Sequence, residues 1–198
     1  MKKINVPLLA SICETAGAPG FEQRVRTLVI EQLKDVVDEY SIDNMGNLTT
    51  IIRGKSSDKK VMIAAHMDEI GFIVTHIDDH GFVRFHTLGG FDPKTLTAQR
   101  VIIHGKKDLI GVMGSKPIHV MTAAERTKVP KTTDYFIDLG MPKAEVMKFI
   151  SVGDSITRQR ELIEMGDCVN CKSIDNRVSV FILIETLKQL KNCPYDVY

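Results

Sequence analysis

Tryptophan is absent from the 198 residues, and aromatic residues make up only 6%. A stacking platform for bases or sugars is therefore not expected. A charge excess of one sign is also missing. The chain has 26 Lys and Arg against 25 Asp and Glu, a net charge of +1, so nothing points to nucleic acid or an anionic membrane as partner. Long apolar runs are lacking. The stretch Val180–Ile184 falls far short of the roughly 20 residues that a bilayer span requires. Cysteines are few: Cys13, Cys168, Cys171 and Cys193 do not read as the disulfide framework of a small secreted domain. Cys13 and Cys193 read as small buried apolar residues. No G-x-S-x-G, P-loop or G-x-G-x-x-G occurs, which removes the signatures of three common enzyme classes.

What is present is ordinary for a globular protein: 43% apolar and 26% charged residues, enough for one good core or for a domain plus part of a second. The start Met1-Lys2-Lys3 followed by Val6–Ala10 imitates a signal peptide. Pro7, Ser11 and Glu14 interrupt it, so it reads as the first helix of a cytoplasmic protein. Phe21, Val25, Leu28, Val29, Leu33, Val36 and Val37 follow helical spacing. Tyr40–Ile42, Leu48–Ile52 and Val61–Ala65 then read as strands, the last buried and apolar, with a turn over Gly54–Lys60.

From Gly71 the texture changes. Phe72–His76, Phe82–His86, Val101–His104, Leu109–Met113 and Tyr135–Leu139 alternate with glycine turns, which predicts a small β-barrel or sandwich. A helix is expected over Pro142–Phe149, and His119–Thr133 reads as a loop. Near Gly166 the α/β texture returns, with a helix from about Val178 to Lys191 and the beginning of a strand at Tyr195–Tyr198. The expected fold is α/β: residues 1–70 and 166–198 form one incomplete domain, a mixed sheet flanked by helices. A barrel-like β-rich insertion at 71–165 interrupts it.

The sharpest chemical feature is Ala65-His66-Met67-Asp68-Glu69. His66 and Asp68 lie two apart at a strand end, on one side of the chain, where open α/β sheets build sites. A carboxylate there can hold one ring N–H of the imidazole and leave the other nitrogen for a metal. Equally, the pair reads as a strand-end histidine beside a surface acid. Asp175-Asn176 opens a helix; it reads as an ordinary amino-terminal cap or as a carboxylate aimed at a cation. Cys168-Val169-Asn170-Cys171 lacks the second ligand pair of a structural zinc site and reads as two thiols on a strand. Of the remaining histidines, His119, after Pro117-Ile118, is the one considered near a site.

Taken in order, the motifs are Thr15-Ala16-Gly17-Ala18-Pro19-Gly20-Phe21-Glu22, Asp43-Asn44-Met45-Gly46-Asn47, Ala65-His66-Met67-Asp68-Glu69-Ile70-Gly71-Phe72, Leu88-Gly89-Gly90, Pro117-Ile118-His119, Ile137-Asp138-Leu139-Gly140 and Lys172-Ser173-Ile174-Asp175-Asn176-Arg177. This set, covering essentially the whole chain, resembles the tetrahedral (TET-type) glutamyl and deblocking aminopeptidases of the forty-second metallopeptidase family. The resemblance implies a two-metal catalytic domain interrupted by a β-rich domain used for oligomerisation. It implies His66 as ligand of one metal, Asp68 as the catalytic residue orienting His66, and Asp175 as a ligand bridging two divalent ions, zinc or cobalt. Peptides would be the substrates, and a homo-oligomer the assembly.

The same resemblance places a Glu-Glu pair, with the general base, in a strand after the last helix; these 198 residues do not contain it. The chain alone is therefore expected to be under-ligated and inactive. A second reading is a non-catalytic, truncated homologue that acts only through self-association of its β domain. A glycoside hydrolase would need two carboxylates flanking a sugar; Asp68 and Glu69, adjacent on a strand, should face opposite ways.

Overall fold

The structure, a computed structural model, describes residues 4–198, so the basic start Met1–Lys3 lies outside the described residues. In chain order the elements are α1 (Val6–Glu14), α2 (Gln23–Leu33), β1 (Glu39–Ile42), β2 (Leu48–Ile51), β3 (Ser56–Val61), β4 (Gly71–Ile77), β5 (Val83–Leu88), β6 (Arg100–His104), β7 (Asp108–Gly114), α3 (Ala123–Arg126), β8 (Phe136–Asp138), α4 (Lys143–Phe149), β9 (Ser155–Arg158), β10 (Ile163–Met165), β11 (Cys168–Asn170), α5 (Ile174–Gln189) and β12 (Tyr195–Val197). They form two compact units, Met1–Glu69 with Glu161–Tyr198, and Ile70–Arg160. Among the described residues no helix is long and apolar enough to cross a membrane.

The unit Ile70–Arg160 is a closed barrel in the order β4-β5-β8-β7-β6-β9, with every pair antiparallel. Alternation along each strand sends Phe72, Val74, Val83, Val101, Ile103, Met113, Ile137 and Ile156 into one core, as period-two geometry requires. A register shift between Val74 and His76 turns His76 out and Ile77 in. Phe72 stacks on Phe91 at 4.3 Å and meets Phe85 edge-on at 5.0 Å. β9 is not evident in the sequence, because Ser155 and Thr157 are polar, yet both are buried there. It closes the barrel by pairing with both β4 and β6, and Thr157 Oγ1 meets His104 Nε2 at 2.9 Å. The expected loop His119–Thr133 is corrected too. It contains α3, whose start is a capping box: Glu125 N donates to Thr122 Oγ1 at 3.3 Å and Thr122 N to Glu125 Oε2 at 2.7 Å.

In the other unit, α1, α2 and α5 bury Leu9, Ile12, Val25, Val29, Leu33, Val180, Phe181 and Ile184 in a second core. β1 and β2 pair antiparallel, β10 and β11 form a hairpin, and β12 runs parallel to β3. The mixture of helices with parallel and antiparallel pairs makes this a mixed α/β unit. One strand expectation is overturned. The strand is Ser56–Val61, not Val61–Ala65, and it is exposed over most of its length. Residues 62–70 are irregular. β12 pairs with β3 as far as Val61, opposite Val197, and Ile63 N donates to the Tyr198 carbonyl at 2.8 Å. Gly54 permits the approach, since a Cβ there would collide with the backbone of Tyr195.

Candidate functional site

The irregular segment after β3 carries His66 and Asp68, and the first turn of α5 carries Asp175. All belong to the same unit. Asp68 Oδ1 lies 2.7 Å from His66 Nδ1, and His66 Nε2 lies 3.2 Å from Asp175 Oδ1, across 109 residues of sequence. The residues expected at a site are thus brought together, although His66 and Asp68 sit past the strand end rather than on it.

Asp175 is not acting as a helix cap. The cap position is Ser173, no side chain accepts a capping hydrogen bond there, and Asp175 and Asn176 have non-helical backbone angles. The Asp175–Asn176 peptide is cis. The Asp175 side chain is 96% exposed and that of His66 54%, so both can be reached from solvent.

The pairing has a chemical consequence. With its Nδ1 proton held by Asp68, a neutral His66 presents a bare lone pair at Nε2. A lone pair and a carboxylate oxygen 3.2 Å apart repel unless a proton or a cation lies between them. The donor set therefore fits part of a divalent-cation site of the imidazole–carboxylate kind. An imidazolium between two carboxylates is the alternative occupant. Among the described residues no cluster of three or more His, Cys, Asp or Glu side chains surrounds a common point.

Behind this pair lies a buried charge cluster that the sequence reading did not identify. Glu69, Lys172 and Arg177 are 2%, 7% and 0% exposed. Lys172 Nζ donates to Glu69 Oε1, Gly17 N donates to the same oxygen at 3.3 Å, and Arg177 Nη2 stands 3.8 Å from it. Arg177 Nη1 also donates to the carbonyls of Ile12 at 2.5 Å and Thr15 at 3.0 Å, and Ser173 Oγ to that of Cys13 at 2.5 Å. These carbonyls end α1 and would otherwise lack partners; a cation at a helix carboxyl terminus is also favourable. Burial lowers the pKa of Arg177 and of Lys172, opposed in both mainly by Glu69; the Asp68 carboxylate also supports the Arg177 charge. Glu69 is buried while the Asp68 side chain is 36% exposed, although the segment that carries them is irregular and not a strand. The letters of Glu69, Lys172 and Arg177 alone carry no signal of burial in the sequence; once buried, such charges must find opposite partners.

The remaining candidates lie elsewhere. Cys168 is exposed on β11, while Cys171 approaches Cys13 of α1; burial first, and Cys171 next, push the Cys13 thiol up to about 12. All four cysteines are free. His119 lies in a short 3-10 turn of the barrel unit.

Comparison with known proteins gives a consistent result. Residues 46–198 match the model of the M42 glutamyl aminopeptidase family. The chain is 36% identical over 203 residues to a lysyl aminopeptidase of Pyrococcus furiosus, covering 98% of this chain and 58% of that protein. It superposes with a TM-score of 0.92 on the TET aminopeptidase of a marine-sediment Thaumarchaeota archaeon, at 31% identity, covering 97% of this chain and 56% of the other. With the Pyrococcus horikoshii TET1 peptidase, which assembles into a tetrahedron or a large octahedral shell, the TM-score is 0.86 at 29% identity, over 97% of this chain and 58% of that one. The chain spans little more than half the length of the curated relatives it matches. The matched region contains His66, Asp68 and Asp175 together, and by that match the chain belongs to the M42 glutamyl aminopeptidase family.

Proposed function

We propose that this chain is the portion of a co-catalytic metalloaminopeptidase that supplies His66 and Asp175 as metal ligands and Asp68 as the residue orienting His66. Such an enzyme hydrolyses amino-terminal residues from peptides. The observation that carries the reading is the His66 Nε2–Asp175 Oδ1 separation of 3.2 Å with Asp68 on the opposite ring nitrogen. When bound, two divalent ions, zinc or cobalt, would supply Lewis-acid polarisation of a peptide carbonyl and activation of a water. Asp68 accepts a hydrogen bond from Nδ1–H of His66, fixes the tautomer and aims Nε2. Asp175 offers a carboxylate with several lone pairs, an appropriate group for bridging two cations.

The 198 residues bring two ligands to the pair, whereas a catalytic zinc normally takes three from protein. The chain by itself is therefore proposed to bind metal weakly and to lack peptidase activity, with the general-base glutamate among the groups it does not hold. Self-association through the barrel unit and a cytoplasmic location belong to the same proposal; the assembly of the P. horikoshii relative into shells supports the first.

Calorimetric titration with Co²⁺ tests the reading. Binding by the chain that is lost in His66→Ala and in Asp175→Ala is the expected result. No binding, together with a stable oligomer in light scattering, would instead favour a chain acting only through self-association.

A further inference from the structure

Three sequence motifs far apart in the chain converge behind the His66–Asp175 pair. Gly17, Glu69 and the run Lys172–Arg177 meet in one buried cluster. Its members are next to the site residues in sequence: Glu69 follows Asp68, and Lys172 and Arg177 bracket Asp175. The segment bearing His66 and the turn bearing Asp175 thus meet twice: at the exposed face, where the imidazole stands against the Asp175 carboxylate, and in the interior, where the ion cluster ties them together. The interior tie has few alternatives. Glu69 Oε2 and Arg177 Nε and Nη2 are buried without a hydrogen-bond partner among the described residues. Arg177 is anchored on its other nitrogen by the α1 carbonyls. A group so constrained cannot shift without leaving a buried charge unpaired, which is costly.

We propose that Glu69, Lys172 and Arg177 are positioning residues: the buried ion cluster sets where His66 Nε2 and Asp175 Oδ1 stand relative to one another, and so sets how well they grip a cation. The cation part of this inference rests on the metallopeptidase reading above; the positional part does not. Arg177→Lys keeps the charge but loses the forked geometry that reaches both the carbonyls and Glu69.

Two readouts test the proposal on the same folded protein, with circular dichroism confirming the fold. The first is metal-free: the ¹⁵N shifts of the His66 ring at one fixed, mildly alkaline pH. The parent protein should show a single tautomer, with Nδ1 protonated and Nε2 bare. Arg177→Lys and Glu69→Gln should move both nitrogens towards averaged values. The second is Co²⁺ titration, in which each variant should lose about 10- to 100-fold in affinity, the range seen when groups supporting metal ligands are removed. Lys148→Gln, in the barrel unit, should change neither. A folded variant with unchanged His66 shifts and Co²⁺ affinity within about twofold of the parent would overturn the proposal. Shifts that move in the variants while the parent binds no Co²⁺ would support the positional inference and overturn the metal reading. If Arg177→Lys does not fold, the double change Glu69→Gln with Lys172→Met carries the same test, since it removes both charges of the closest pair together.

Discussion

At the scale of single residues, the molecule depends on atoms that are close to charged neighbours and cannot give way. Gly17 shows this most directly. A Cβ at that position would lie 2.8 Å from both Arg177 Nη2 and Val25 Cγ2, tighter than real contacts allow. Gly17→Ala is expected to destabilise the protein by about 1–3 kcal/mol, the usual cost of overpacking a filled interior, read as a lower urea midpoint. An unchanged midpoint would mean that the Arg177 pocket is slack. The cysteines give a second prediction. With its thiol pushed up to about 12 and buried, Cys13 holds almost no thiolate at pH 8, and thiolate is the reactive form. Iodoacetamide at that pH should label exposed Cys168 first and leave Cys13 unmodified until the protein unfolds, as mass spectrometry of digested peptides would show. At this scale His66, Asp68 and Asp175 stood out in the sequence as candidates, beside the bland readings of a strand-end histidine with a surface acid and of an amino-terminal cap. Glu69, Lys172 and Arg177 did not, because a charged letter in a sequence does not say whether it faces water.

At the scale of elements, β12 is held to its neighbour by more than backbone pairing. Asp196 Oδ1 accepts from Gly54 N and Oδ2 from Arg53 Nη1, both at 2.9 Å, and Arg53 also reaches Glu39. The Gly54 N–H, and next the Arg53 guanidinium, hold the Asp196 carboxyl below the usual carboxylate range. A folded pKa below the unfolded value of about 3.9 means that the stabilisation is complete above that pH. It is lost as pH falls through the folded value. Asp196→Asn should therefore flatten the acid limb of a stability–pH curve measured by urea unfolding. Equal slopes in the two proteins below about pH 4 would contradict this role. The longer helices and most barrel strands were legible as elements, since apolar spacing marks them; the short α3, inside an expected loop, was not. β3 and β9 were not either. One is exposed and lysine-rich, and the other buries a serine and a threonine, so neither has the pattern by which strands are found.

At the scale of the whole molecule, the unit containing the site leaves apolar surface in the open. Val61, Met62 and Ile63 are 44%, 77% and 45% exposed. Met62 and Ile63 line a groove of about 590 Å³ together with Leu33, Leu183, Leu187, Val197, His66 and Asp68. A parallel pair such as β3–β12 is normally covered on both faces, and exposed apolar patches next to an open strand edge promote association. The chain should bind the dye ANS and brighten it, and Ile63→Ser should reduce that signal without lowering the unfolding midpoint. No dye response at all would show that the groove is closed in solution.

What the sequence determined by itself was much of the inventory: the longer helices, most of the barrel strands, a β-rich stretch between two α/β stretches, and the residue types able to form an imidazole–carboxylate pair. These follow from local periodicity and from the chemistry of individual side chains, which need no knowledge of distant neighbours. Only the tertiary structure decided that His66 and Asp175, 109 residues apart, stand 3.2 Å from one another, and that Glu69 turns inward to meet Lys172 and Arg177. Distances across a chain depend on how all its elements pack together, and a buried charge acquires its partner only when that packing is complete.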